Sequence, residues 1–359
     1  MEQRARRAPS YNKTGWLPLD KRSRAVARLG LRFAQSSRLA VFGSTVAFLR
    51  PARDGAGKTN AHAARLVSWS MWALSTTLTA LSLFLLALNL SHPNVHVFDF
   101  WAVNTMMAVG CSAVGAVIAS RCPENPIGWI FCAIGLLSGV RHLSAQYATY
   151  ALLAAPDSLP GGEALAWIAS WTWVLYLGLY VFLGLLFPNG RLPTRRWRWV
   201  AWLSTAVVAL GAISVAFWPG PVYGLGPIHN PLGIEPLGIT DANSVVRLVL
   251  TLVYALGFAM AISLFVRLRR ARGVERQQLK WFVYAVAIAL SGAIPEYVIF
   301  PLINVSVSWV SWVAFILVIA GLVGMPIAIG IAILKYRLYD IDVIINRTLV
   351  YGTLSAIAA

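Results

Sequence analysis

Eight apolar runs of 20 to 27 residues divide this chain, at 67–90, 99–120, 127–153, 165–187, 199–218, 244–266, 281–303 and 309–334. A helix needs roughly 20 apolar residues to cross a ~30 Å hydrocarbon core. A closed barrel would instead show alternating segments of ~10 residues, and the sequence contains none. Lipid leaves backbone groups no water to bond, so runs of this length must satisfy themselves as helices. The expected fold is all-α: a polytopic membrane helical bundle of eight transmembrane helices. A mean hydropathy of +0.68 and only 12% charged residues exclude a soluble domain of this size.

The gaps between the runs alternate in charge. Fourteen Lys and Arg lie in residues 1–66, Arg121 in the gap after the second run, and Arg191, Arg195, Arg196 and Arg198 after the fourth. Six more lie between Arg267 and Lys280, and Lys335, Arg337 and Arg347 follow the eighth run. The intervening gaps hold no Lys or Arg but do hold Asp157, Glu163, Glu235 and Asp241. This is the positive-inside pattern, and it predicts a multi-pass plasma-membrane protein with a cytoplasmic N-terminus. Trp69, Trp72, Trp129, Trp199, Trp202 and Trp281 then fall at inner ends, and Trp101, Trp167, Trp171, Trp218, Trp309 and Trp312 near outer ends. Amphipathic indoles favour both interfaces. The net charge of +17 therefore meets anionic headgroups rather than nucleic acid.

Residues 1–66 read as a basic cytoplasmic tail, either disordered or, over 25–50, a helix on the inner leaflet. A start codon placed too far upstream is a third reading. Residues 67–334 form the eight-helix membrane domain and 335–347 a juxtamembrane linker. The twelve residues 348–359 read as the start of a truncated further span, since a helix of that length reaches only about 18 Å. The Gly- and Pro-rich stretch 219–243 predicts an irregular external flap.

Several motifs carry chemistry in other chains and are weaker here. ARDGAGKTN (52–60) has Gly57, Lys58 and Thr59 of a phosphate loop, but Ala52 stands at the first glycine position and no strand precedes it. Ser112 lies between glycines in GCSAVG (110–115), where close helix packing by small residues competes with a nucleophile role. His142 is the one histidine inside a run. His92 and His96 are four apart, a metal-ligand spacing on a helix, but they flank Pro93 in a turn. Cys111, Cys122 and Cys132 show no ligand or disulfide framework. Catalytic, metal and cofactor sites are expected to be none.

Asp99, Arg141, Arg247 and Glu296 are the charges within the runs. Asp99 and Arg247 fall at outer edges. Arg141 and Glu296 lie deep, each about 20 Å from the inner boundary. A charge there costs several kcal/mol unless it faces the bundle interior. We expect an Arg141–Glu296 pair, or both groups lining one outward-facing cavity, with Pro295 kinking the seventh helix. The competing reading has both helices end early and both groups snorkel to headgroups. Asp340 and Asp342 are a carboxylate pair that reads either as a metal–diphosphate site or as a linker balancing Arg337 and Arg347.

The segment KYRLYDIDVIINRTLVYGTLSA (335–356) resembles the linker that ends the membrane-spanning N-terminal input region of bacterial multi-span sensor histidine kinases of two-component systems. RCPENPIGWIFCAIGL (121–136), QYATYALL (146–153), FPNGRLPTRRWR (187–198) and GVERQQLKWFVYA (273–285) are similar in order and spacing, so the resemblance covers roughly 67–359. It implies that Tyr336, Arg337, Tyr339, Asp340, Asp342, Asn346 and Arg347 form a signalling linker. It also implies a homodimer and a cytoplasmic kinase or response-regulator pathway as partners, beside the lipid bilayer. The phosphoaccepting His and nucleotide boxes of that family are absent from this sequence, so kinase activity is not expected of the chain itself. The expected function is a membrane sensor or input module lacking the transmitter. The alternatives are a small-molecule transporter or channel, and a membrane-embedded enzyme.

Overall fold

A computed structural model describes residues 55–92, 100–156, 158–222, 225, 227–234, 242–300 and 308–336. The chain divides into two units, Met1–Thr59 and Asn60–Ala359, and the bundle is the second. The expected tail over 1–54, the linker over 337–347 and the start of a further span over 348–359 lie outside the described residues.

Among the described residues eight α-helices follow one another: α1 (Gly55–Leu90), α2 (Trp101–Arg121), α3 (Pro126–Thr149), α4 (Gly162–Leu186), α5 (Trp197–Phe217), α6 (Ala242–Arg270), α7 (Gly273–Ile294) and α8 (Ser308–Tyr336). Each contains a stretch long and apolar enough to cross a membrane. The fold is the expected all-α bundle, and no strand occurs among the described residues. One π turn, Tyr150–Ala154, extends α3 and another, Pro295–Ile299, extends α7. Such single π turns are rare and are frequent at functional sites.

Two boundaries differ from the hydropathy reading, for one reason. Hydropathy finds where lipid must begin, not where hydrogen bonding stops. The helix of the first run starts at Gly55, twelve residues before 67. The stretch between Arg267 and Lys280 is not a fourteen-residue loop: α6 continues to Arg270, α7 starts at Gly273, and only Ala271 and Arg272 connect them.

Six helices close a ring, with contacts running α2–α3, α3–α4, α4–α6, α6–α7, α7–α8 and α8–α2. α5 packs outside against α4 and α6. Burial agrees: 72% of the apolar window of α4 is covered, against 22% for α1 and 28% for α5. Lipid tails are as apolar as leucine, so helices associate through close backbone approach and polar contacts instead. The α2–α3 seam shows the first device. Gly128 of α3 faces Ala119, Gly135 faces Ser112 and Ala108, and Gly115 of α2 faces Cys132 and Gly128. At α7–α8, Gly292 meets Ala314 and Gly321 meets Ala289 in the same way.

α1 shows the second device. Its buried residues include Ser68, Ser75, Ser82 and Asn89, seven apart, with Thr79 and Leu86 between. A seven-residue period keeps one stripe facing the same way along a helix. Ser75 Oγ donates to Ala108 O of α2 at 3.1 Å and Gly135 O of α3 at 2.9 Å. Asn89 Nδ2 donates to Gln146 O and Oε1, both at 3.0 Å. Leu74, Leu81 and Phe84 face outward. The helix is polar inside and apolar outside, the inverse of a soluble one.

At the end bearing the basic gaps, the turns interlock. Asn125 caps α3 by accepting from Ile127 N at 3.1 Å, with Pro126 in the first turn. Gly190 (φ +68°) packs so close that a Cβ would sit 2.6 Å from Pro126 Cδ. Phe187 stacks on Phe282 of α7 with centroids 4.5 Å apart. Arg267 of α6 donates to Phe187 O at 2.6 Å and Leu185 O at 2.7 Å, and to Arg191 O. It thereby satisfies carbonyls left open at the C-terminus of α4. At the opposite end, Val222, Leu225 and Ile228 bury against Ala145, Ala148, Ala166 and Ala169, and Asn230 Nδ2 holds Ala216 O and Trp218 O at 2.9 Å. The described part of the flap is thus packed onto α3 and α4.

Candidate functional site

The ring helices line a half-open pocket, with roughly 590 Å³ of space between their side chains when the solvent at its mouth is counted. Every ring helix contributes to its wall: Val103 and Met107 from α2, Arg141 from α3, Trp173, Tyr176 and Leu177 from α4, Leu250 and Tyr254 from α6, Tyr297 from the π turn after α7, and four residues of α8. Those four are Phe315, Val318, Ile319 and Leu322, and Phe100 completes the lining. Among the described lining residues, Arg141 alone is charged.

Arg141 is 1% exposed. It lies fifteen residues from Pro126, so about 22 Å along α3 at 1.5 Å per residue. Because α3 and its π turn continue to Ala154, the snorkelling reading does not apply to it: the guanidinium sits mid-helix, facing inward, as the cost of a charge in hydrocarbon requires. Neighbouring side chains form a polar layer. Tyr176 OH donates to Asn104 Oδ1 at 3.4 Å, and Thr105 Oγ1 meets His142 Nδ1 at 3.5 Å. Asn104 and His142 are fully buried.

The π turn Pro295–Ile299 shapes the opposite wall. Proline has no N–H to donate and its ring displaces the preceding turn. Thr251 Oγ1 of α6 donates to Tyr297 O at 2.7 Å, which satisfies a carbonyl of the turn. Tyr297 then stacks on Tyr254 with centroids 4.7 Å apart and rings 16° from parallel. Phe100 and Phe315 meet at 5.3 Å across α2 and α8. The expected kink at Pro295 is thus a change of helix type that presents an aromatic pair to the cavity.

Glu296 sits beside Tyr297 but is not itself on the lining. It is half-buried, and its Oε2 is buried with no hydrogen-bond partner. Arg247 is exposed near the start of α6. Asp99 lies outside the described residues. Tyr336 ends α8, while Arg337, Tyr339, Asp340, Asp342, Asn346 and Arg347 of the linker lie outside them.

The remaining motifs have structural places. Ser112 Oγ donates back to Ala108 O and Val109 O of its own helix and packs on Gly135, which is the small-residue role. Lys58 and Thr59 fall within the helix beginning at Gly55, not in a phosphate-cradling loop. His92 makes an edge contact with Tyr150, and His96 lies outside the described residues. Among the described residues no group of three His, Cys, Asp or Glu is placed to hold a metal ion.

Sequence reasoning reached Arg141 but missed the aromatic wall. A signal was available: Tyr176 and Tyr254 stand in the middle of apolar runs, whereas the interfacial preference of tyrosine places it at their ends. A phenol so deep must find a partner or a cavity.

Fold and site together define a multi-pass α-helical membrane protein with an aromatic-walled pocket between its helices, Arg141 being the charged residue among the described ones that line it. No family model, curated protein or solved structure matches the chain.

Proposed function

We propose that this chain is the membrane-embedded input module of a bacterial sensor histidine kinase, located in the plasma membrane with its N-terminus in the cytoplasm. One observation carries the reading. Four of the cavity-lining residues, Phe315, Val318, Ile319 and Leu322, belong to α8, and α8 runs unbroken past Pro326 to Tyr336, where the linker-like segment begins. A molecule in the cavity would touch the helix that leads to a transmitter. Occupancy can shift α8 only if the molecule binds two packings of that helix with different affinity. A coupling of about 1–3 kcal/mol is the usual scale. The resemblance of 335–356 and of the turns at 121–136, 187–198 and 273–285 supports the same reading. It also brings a homodimer and a kinase or response-regulator pathway as partners.

The reading is tested by placing this chain in frame with a soluble histidine-kinase transmitter in proteoliposomes. Autophosphorylation should change with cavity occupancy, and Ile319→Trp, which fills the cavity, should lock the output at one level. Output indifferent to both would overturn the proposal. A transporter is the second reading, favoured by the π turns in two ring helices and by intramembrane charge. Solute flux through the same proteoliposomes would select it.

The orientation has its own test. Single cysteines at 230 and 275, in a background without Cys111, Cys122 and Cys132, should label from opposite sides in intact cells. Residue 275 should react only after permeabilisation. Labelling of both from one side would reverse the assignment.

A further inference from the structure

We infer that the pocket takes an uncharged, lipophilic molecule built on a flat ring, which stacks among Phe100, Tyr254, Tyr297 and Phe315. The inference deepens the input-module reading and rests on it for biological role, though not for binding itself.

Six of the fourteen described lining residues are aromatic, against 12% of the whole chain. An acyl chain needs no rings around it, because Leu, Ile and Val offer the same apolar surface. The enrichment therefore selects for a ligand with a ring face of its own. Burial divides the lining into a floor and a rim. Met107, Leu177, Leu250, Val318 and Leu322 are buried, whereas Phe100, Tyr254, Tyr297 and Phe315 are partly exposed. A ligand meets rings first and aliphatic side chains beneath them. The rings are already ordered. Tyr254 and Tyr297 lie 16° from parallel with centroids 4.7 Å apart, and Thr251 Oγ1 fixes the backbone of Tyr297 by donating to its carbonyl at 2.7 Å. Phe100 and Phe315 meet at 5.3 Å and 43°. A preordered stack loses little freedom when a further ring joins it. Offset stacking then adds to the burial of that ring, whereas a saturated body of the same size gains burial alone.

Charge selects against an ionised head. No Asp or Glu is among the described lining residues, and Arg141 is engaged within the protein, so recognition falls to its neighbours. An ion of either sign would give up its hydration here with no uncommitted lining group of opposite charge to receive it. The space, roughly 590 Å³ with the mouth counted, lies in the ~300–1,000 Å³ range of small-molecule sites.

The test uses the full chain in phosphatidylcholine nanodiscs, with a naphthyl diazirine photoprobe and mapping of the labelled peptides. Labelling should saturate and map to Phe315–Leu322 and to the peptides holding Tyr254 and Tyr297. Four unlabelled competitors are compared at equal measured concentration in the bilayer: 2-methylnaphthalene, its saturated counterpart 2-methyldecalin, 2-naphthoate and 2-naphthyltrimethylammonium. Methylnaphthalene should compete better than methyldecalin by roughly three- to tenfold, the scale of one added aromatic contact, and at least as well as either ion. The double variant Tyr254→Leu, Tyr297→Leu should erase the preference for the flat ring while labelling persists, and Ile319→Trp should remove the labelling. Non-saturable labelling, labelling that maps elsewhere, equal competition by methyldecalin, or stronger competition by either ion would overturn the inference. The wild-type competitor series decides this even if the variants fail to fold. No transmitter enters the assay. A ring that binds while a fused kinase stays silent would sink the input-module reading and leave this one standing; a kinase that responds to some other occupant would do the reverse.

Discussion

Gly135→Val should separate α2 from α3 and cost more than about 3 kcal/mol, toward the upper end of overpacking penalties. A Cβ at this position would lie 2.6 Å from Ser112 N, 2.7 Å from Ser112 Cβ and 2.9 Å from Ala108 O. Two of these neighbours are backbone atoms, so no rotamer change relieves the clash. The helices must move apart, and every small-residue contact of the seam loosens with them. The damage reaches α1, because Ser75 spans both carbonyl groups, Ala108 O and Gly135 O, that the seam brings together. Reversible unfolding in mixed micelles should show the loss as a lowered midpoint, or as no folded population at all. Gly110→Ala is the control on α2: a Cβ there meets nothing within 4 Å. Replacing glycine by alanine in a helix interior is favourable by roughly 0.5–1 kcal/mol. Equal effects at 110 and 135 would refute the account of the seam.

The second large effect is expected at Arg267. Its guanidinium donates to Leu185 O, Phe187 O and Arg191 O, gathering the end of α4 and the turn after it onto α6. Arg267→Ala leaves these carbonyls short of a donor, and losing charge-assisted bonds of this kind costs about 3 kcal/mol. Arg267→Lys should recover only part, since an ammonium cannot present the planar fork that reaches three acceptors at once. Arg270→Ala, on an exposed side chain of the same turn, should stay within about 0.5 kcal/mol. The same unfolding series separates the three variants. Protease accessibility of the 187–196 turn should rise for Arg267→Ala alone. If Arg270→Ala matches it, the effect belongs to net charge at the bundle end and not to this clamp.

Arg267 also shows how a reading of polarity along the chain runs out. As one of six basic residues in an apparent loop, it signals only which side of the membrane the loop occupies. Its neighbours at 273–280 are polar because they leave the hydrocarbon, yet they are helical from Gly273 onward. α1 is the converse case. Ser68, Ser75, Ser82 and Asn89 stand seven apart in plain view, but a sparse polar stripe in an apolar run does not say which helices it meets.

The apolar runs long enough to cross a bilayer, and the depth of Arg141 within one of them, were legible in the chain alone, because membrane thickness and the cost of charge in hydrocarbon act on one residue at a time. Which faces meet was decided only in three dimensions. In lipid an apolar side chain is welcome on any face, so hydropathy carries no facing information. Facing comes from pairs: Gly135 against Ser112, Asn89 against Gln146, Tyr254 against Tyr297. Tertiary packing alone set Arg141 among aromatic rings drawn from four other helices, and that company, more than the charge, makes the cavity a site.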